Sequence, residues 1–380
     1  MIKNIQTRIE LLHPLVKDFL LGILTALLFS AFIYLEAYAF TSKALNTLFA
    51  LSALALFLYI PRRAVLIAGF FIGLLWFYWI GYSFKYTGVG YLTPIITFGF
   101  GVIYMLFFGV LALSKKVYIR ALLLFGLSFF EPMDFNWMQI ELLFIESYIG
   151  IFKYQLALVL LALSLPSFIT KQNLKYAPLL LLLFALDISK VEQKDAPLKI
   201  KLFASDIAQE NKWRRENLHA TVTMIFDAIQ KASAQGYDLI VLPESVFPLY
   251  LNKHPKLIDA LLEHSYDISI ITGALLHEQN QSYNVSYHFE DGNYRVAKKM
   301  ILVPFGEYIP LPKFAQDFIN DMFFAGEADF ATAKEPTDFL VKGVKFRNAI
   351  CYEATCQELY DGDVAFIVAM SNNAWFAPSI

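Results

Sequence analysis

Unbroken apolar runs fill the first half of the chain, and short alternating runs set between charged stretches fill the second. Segments 19–35, 44–61, 64–84, 86–114 and 154–170 carry no charged residue. Each reaches the roughly 17–25 residues that a helix needs to cross a hydrocarbon core. Two shorter runs, 121–130 (extendable through Arg120 to 117) and 176–186, bring the prediction to about seven spans. The stretch 131–152 mixes Trp137, Met138, Leu142 and Leu143 with Asp134, Glu141 and Glu146. It reads either as an amphipathic segment at the outer interface or as a loop helix packed on the bundle.

After a charged linker at 189–197 the period changes. Residues 198–205 alternate as a strand does, 213–234 repeat with helical spacing, and 237–242 form a short apolar run. A helix near 255–265 follows, with strands at 268–274, 283–289, 294–299, 345–351 and 364–370. Strands interleaved with helices, most of them apolar on both faces, predict an α/β layered domain. The division is therefore a multi-span helical membrane bundle over 1–190 and an α/β domain over 191–380.

Charge sharpens that division. Residues 1–190 hold 14 Lys/Arg against 8 Asp/Glu, and 191–380 hold 17 against 25. The overall charge of −2 gives no reason to expect nucleic-acid binding. With a cytoplasmic N-terminus, the inside segments carry Lys3, Arg8, Lys17, Arg62, Arg63, Lys115, Lys116, Arg120, Lys171 and Lys175. The outside loops carry only Lys43, Lys85 and Lys153. This is the positive-inside pattern, and seven crossings place the second domain outside the cytoplasm. Residues 1–17 do not read as a cleavable signal, because no small-residue cleavage site follows the first apolar run. The five longest runs hold no ionisable residue at mid-span depth, which argues against a transport pathway.

Candidate chemistry gathers at strand ends, where open α/β sheets bind ligands. Glu244 follows Leu242-Pro243, Lys298 and Lys299 end the 294–299 strand, and Cys351 closes the 345–351 strand. A thiol next to a general base is a nucleophile, and an ammonium can hold an oxyanion. Each residue also has a plain structural reading. A free cysteine is commonly a small buried hydrophobe, which is the reading kept for Cys356. Glu244 could be a helix N-terminal charge, Lys298 a solvated neighbour, and Glu307 either an aid to Lys299 or a turn closure after Gly306. Two cysteines make neither a disulfide framework nor a four-ligand zinc site. A Cys351–Cys356 disulfide would silence the nucleophile and is not expected. No metal or cofactor is implied, since no ligand-spaced cluster or phosphate-binding glycine loop occurs.

The motifs LPESVFP (242–248), KKMILVPFGEYIP (298–310), ICYE (350–353) and SNNAWF (371–376), in that order, resemble the nitrilase or carbon–nitrogen hydrolase superfamily. The LVPFGE block and the multi-span first half are similar to the bacterial apolipoprotein N-acyltransferase family. The resemblance implies a nitrilase-like αββα sandwich and a catalytic triad of Glu244 as general base, Lys299 and the nucleophile Cys351. Supporting residues at Glu307, Tyr352, Glu353, Trp213 and Trp375 are implied with it, and Asn284 and Asn372 are further polar candidates. It also implies a phospholipid acyl donor, a diacylated apolipoprotein acceptor, a thioester intermediate, and a place in the bacterial inner membrane with the catalytic domain on the periplasmic side. Phe305, Tyr308, Ile309, Met322, Phe323 and Phe324 could line an acyl path, or simply pack in the core. The family pattern runs on past NAWF, so the chain ending at Ile380 is expected to lack the C-terminal part of its second domain. Two other readings stay open: a membrane-anchored amidase using the same three residues, and an inactive membrane scaffold.

Overall fold

The computed structural model describes residues 13–132, 136, 138–188, 194–304, 306–308 and 330–379. The chain divides into two compact units, Met1–Lys190 with Phe376–Ile380, and Val191–Trp375.

The first unit is helical. Its α-helices are α1 (Pro14–Ala37), α2 (Lys43–Tyr59), α3 (Arg62–Phe77), α4 (Ile80–Ser83), α5 (Thr93–Gly109), α6 (Val117–Leu127) and α7 (Lys153–Ser164). Proline sets several starts: Pro14 opens α1 and Pro94 lies in the first turn of α5, where a missing N–H costs nothing. The 24-residue α1 and the 24-residue helical stretch Gly90–Leu113 around α5 are long and apolar enough to cross a membrane. At 1.5 Å per residue each spans about 36 Å, against a core of about 30 Å. The pair Arg62–Phe77 and Ile80–Tyr86, bent by 45°, adds a third if it is one span. Lys43–Tyr59, Val117–Leu127 and Lys153–Ser167 are shorter apolar helices, and Ala177–Ala185 winds as a 3₁₀ helix.

Packing in this unit is close and aromatic. Phe57 stacks on Phe108 with ring centroids 4.7 Å apart, and Phe29 meets both edge-on at 5.4 Å. The α3–α5 contact needs Gly73, where a Cβ would come within 2.3 Å of the Phe100 carbonyl oxygen. Small residues permit such backbone approach where lipid supplies no hydrophobic drive. Arg120 is buried, unlike the flanking surface charge that the sequence suggests. Its guanidinium donates to the carbonyls of Ile60 at 2.6 Å and of Phe57 and Leu58 at 3.3 Å, at the C-terminal end of α2, and to Ser114 at 2.9 Å. It thereby satisfies carbonyls that a helix end leaves open. Of the 131–152 stretch, Met138, Ile140, Leu143 and Phe144 are buried in the helical core, and Glu141 pairs with Lys153 at 2.6 Å. The described part is thus packed on the bundle; Asp134, Phe135 and Trp137 lie outside the described residues.

The second unit holds β1 (Ile200–Leu202), α8 (Gln209–Lys212), α9 (Arg215–Ala234), β2 (Leu239–Val241), α10 (Pro255–His264), β3 (Ser269–Glu278), β4 (Gln281–Glu290), β5 (Asn293–Lys298), β6 (Asp338–Val341), β7 (Val344–Ile350) and β8 (Phe366–Met370). One sheet runs β1-β2-β3-β4-β5, parallel across the first three strands and antiparallel beyond. The other runs β6-β7-β8. Alternation along β2 sorts the layers. Ile240 packs with Ile225 and Ile229 of α9 and Leu261 of α10, whereas Leu239 and Val241 pack with Phe339, Phe346, Ile350 and Val368 of the second sheet. Among the described residues the order is therefore helices, sheet, sheet, and a strand between two covered faces is apolar throughout, as anticipated. Strand β6 was not anticipated. Its four residues are too short for a periodic signal, and it forms only as the partner of β7.

Gly73→Val is expected to lower the thermal midpoint of the detergent-purified protein, at a cost of about 1–3 kcal/mol from overpacking. Unchanged melting would show that α3 and α5 tolerate separation.

Candidate active site

Three strand ends carry the sequence-derived triad. Glu244 lies two residues beyond Leu242 as the chain leaves β2. The turn is possible because Gly273 on β3 lacks a Cβ, which would fall 2.7 Å from the Glu244 Cα. Lys299 directly follows β5, and its N–H donates to the Asn284 carbonyl at 2.9 Å. Cys351 directly follows β7 and opens a 3₁₀ turn, Cys351–Thr355, with φ of +57°. A non-glycine residue held there is strained, a feature typical of functional turns.

Lys299 is the electrostatic centre. It is 0% exposed, and its Nζ lies 2.6 Å from Oε2 of Glu307. Burial disfavours the ammonium, but Glu307, Glu244 and Cys351 together outweigh this and hold its pKa above the ordinary lysine value. Glu307 makes a contact on each side of the alternatives left open by the sequence. The Oε2 that pairs with Lys299 also accepts from the Val303 N–H at 2.9 Å, closing the turn. Asn284 links the two carboxylates by donating to Oε1 of Glu244 at 2.8 Å and Oε1 of Glu307 at 3.2 Å.

Burial pushes the Glu244 carboxyl up; Lys299, Asn284 and Lys212 oppose this and Glu307 adds to it. Burial also pushes the Cys351 thiol up to about 11. Glu244 and Glu307 contribute to that rise, while Lys299 and a hydrogen bond from the Tyr352 backbone oppose it. Burial thus keeps the resting sulfur a protonated thiol, in the fields of Glu244, Lys299 and Glu307. Cys351 and Cys356 are both free, and Cys356 is buried with its Sγ 3.6 Å from the Tyr352 carbonyl.

Glu353 braces the site without facing solvent. Its Oε1 accepts from the Met300 and Ile301 N–H groups at 2.5 and 3.0 Å, and its Oε2 from Ile350 at 2.7 Å. It therefore ties the Cys351 turn to the residues after Lys299. Lys298 is no part of the cluster, pairing instead with Glu278 at 2.5 Å. Trp213 follows α8 and is 46% exposed. Trp375 is linked to the cluster through Asn372, whose amide oxygen, in the orientation its donor neighbours dictate, accepts from Trp375 Nε1 at 3.3 Å and Lys212 Nζ at 2.9 Å. Lys212, passed over in the sequence although next to Trp213, is buried and donates to the Glu244 carbonyl at 3.2 Å. Of the suggested acyl lining, Tyr308 sits in a turn bridged to Pro304; Phe305, Ile309, Met322, Phe323 and Phe324 lie outside the described residues.

In a Cys356→Ser background, iodoacetamide labelling of Cys351 should rise about tenfold per pH unit above neutrality, because the thiolate fraction does so below a pKa of about 11. A labelling rate already flat at pH 7 would mean a standing thiolate and contradict this electrostatic picture.

A family model for the apolipoprotein N-acyltransferase integral membrane domain matches residues 16–188. The apolipoprotein N-acyltransferase of Wolinella succinogenes is 42% identical over 365 residues, which are 96% of this chain and 88% of that protein. The one from Helicobacter hepaticus is 36% identical over 348 residues, covering 89% and 86%. Among solved structures, the chain is similar to an amidase from Nesterenkonia sp. at 15% identity, with 45% of this chain and 64% of that one covered and a TM-score of 0.33. Relatives at this identity cover most of the chain, so the chain belongs to the apolipoprotein N-acyltransferase family and is a membrane-embedded acyltransferase.

Proposed function

We propose that the protein transfers a fatty acyl chain from a membrane phospholipid to the α-amine of the diacylglyceryl-cysteine that begins an apolipoprotein, through a thioester on Cys351. The observation that supports this most is the meeting of Glu244, Lys299 and Cys351 in one buried electrostatic cluster. As Sγ attacks the ester carbonyl carbon, its proton passes to Glu244. The oxyanion that forms is held by Lys299 and the Tyr352 N–H. The ester C–O bond then breaks, Glu244 returns the proton to the departing oxygen, and lysophospholipid leaves. In the second half the lipoprotein amine attacks the thioester carbonyl and Glu244 takes a proton from the nitrogen. The C–S bond breaks, an amide remains, and the sulfur is reprotonated, which gives ping-pong kinetics. Glu307 orients Lys299, and Glu353 holds the turn that carries Cys351. A site on the same chain as an integral membrane domain suits a reaction whose two substrates are both lipid-anchored.

Wild-type protein incubated with phospholipid vesicles is expected to form a hydroxylamine-sensitive acyl adduct that Cys351→Ala lacks, and a diacylated lipopeptide should discharge it as an N-acyl amide. Discharge as free fatty acid would instead support an amidase-type hydrolase, and an adduct on Cys351→Ala would refute the assigned nucleophile. Glu244 must be ionised to accept the proton, and burial raises its pKa. Adduct formation should therefore fall as pH drops through a midpoint above the ordinary glutamate value of 4.5.

Seven crossings with a cytoplasmic N-terminus, the inner membrane, and a periplasmic catalytic unit form part of the same reading; the positive-inside bias supports them. Protease added to intact spheroplasts should cleave within 194–375. Protection of that unit until the membrane is broken would reverse the orientation.

A further inference from the structure

A second buried ammonium lies beside the cluster. Lys212 ends the one-turn α8, yet only 6% of it is exposed. Its Nζ donates to the main-chain oxygen of Glu244 at 3.2 Å, and the Asn372 amide oxygen accepts from it at 2.9 Å. The same Asn372 oxygen takes Trp375 Nε1, and the Gln209 and Asn372 side-chain amides meet at 3.1 Å. One cation thus joins three stretches distant in sequence: the 209–213 turn, the 242–244 strand end and the 371–375 segment. Burying a lysine is costly unless it is hydrogen-bonded and paired with charge, and a neutral amide would serve a purely structural clamp with less desolvation. What the ammonium adds is positive charge close to Glu244.

We propose that Lys212 is a positioning residue for acyl transfer, holding the Glu244 backbone against the 371–375 segment and favouring the ionised Glu244 carboxylate. This rests on Glu244 being the general base. The charged and titratable groups facing Glu244 are Lys299 after β5, Glu307 from its turn, Cys351 after β7 and Lys212 from α8. Lys212 is therefore one of two cations acting on it. Burial draws Lys212 down to about 8 and Glu244 opposes this, so the side chain is mostly charged at neutral pH.

The test uses the full-length protein in detergent with phospholipid vesicles and reads the rate of Cys351 adduct formation against pH. Lys212→Gln is expected to slow the step roughly tenfold near the acid limb and to move that limb upward by about one unit, since losing the cation raises the carboxyl. The KM for phospholipid should stay within about twofold. Lys212→Arg should restore the limb. A wild-type rate and limb in Lys212→Gln, or a slower rate with an unmoved limb, overturns the proposal. Should Lys212→Gln fail a melting control, Asn372→Ala is read instead. It removes one acceptor and leaves the charge, so a slower rate with an unmoved limb is expected and a wild-type rate overturns the clamp. Glu244→Gln separates the two claims: if it keeps the wild-type rate the base assignment fails, whereas an inactive Glu244→Gln with an unaffected Lys212→Gln sinks the Lys212 inference alone.

Discussion

An ammonium with no access to water must find its counter-charge within the protein, and the burial of Lys299 imposes that demand on everything around it. Glu307 at 2.6 Å answers most directly, with Glu244 and Cys351 adding to it. Two carboxylates brought together for one cation then repel each other, and Asn284 relieves this by donating to both. The carboxylate of Glu353 collects three backbone N–H groups around the same point, so the chain on either side of Lys299 and Cys351 cannot drift. Deleting one partner of such a buried set is far costlier than the set is stabilising. The residues are therefore best understood as a unit whose geometry is fixed jointly.

The same rule operates in the first unit, whose buried backbone groups must also find partners within the protein. Arg120 closes the carbonyls at the end of α2. Asn46 donates to the Ile145 and Glu146 carbonyls, and Gln155 accepts from the Phe152 N–H while donating to the Ala185 carbonyl. These polar side chains sit where a helix stops or the chain turns, which is where backbone groups lose their regular partners. Between them, glycine contacts and stacked rings supply dispersion. Arg120 shows how topology and packing overlap: a residue counted among the inside charges also satisfies backbone carbonyls.

The placing of Glu244, Lys299 and Cys351 at strand ends was legible because each stands at the end of an apolar run inside a distinctive motif. Lys212 was not, since nothing in a polar ENKW stretch says that its lysine will be buried; that depends on Glu244 and Asn372 arriving from elsewhere in the chain. Asn284 was noticed only as a polar candidate, and its joining of two carboxylates depends on how β4 is set in its sheet. The positive φ of Cys351 also left no trace, as it arises from the way β7 feeds its 3₁₀ turn. Helix limits in the first half were the least legible, because uniform apolarity marks a membrane segment without marking where the helix bends. The break between Arg62–Phe77 and Ile80–Tyr86 falls inside one unbroken apolar run.

The electrostatics also bear on when the sulfur would act as the proposed nucleophile. One ammonium is shared by Glu307, Glu244 and the thiol, and the two carboxylates hold the stronger claim, so the thiol keeps its proton at rest with its pKa up to about 11. A standing thiolate would need Lys299 for itself. Instead Lys299 is paired with Glu307 at 2.6 Å, and the Tyr352 N–H already points at the sulfur. Such donors gain most when negative charge appears on a carbonyl oxygen between them, a charge that exists only once the carbon–sulfur bond is forming. Glu244 would then take the proton at the moment its loss is compensated. Stabilisation reserved for the transition state raises the rate without trapping the enzyme in its ground state. In the proposed reaction it also leaves a poorly reactive thiol whenever no acyl ester is bound.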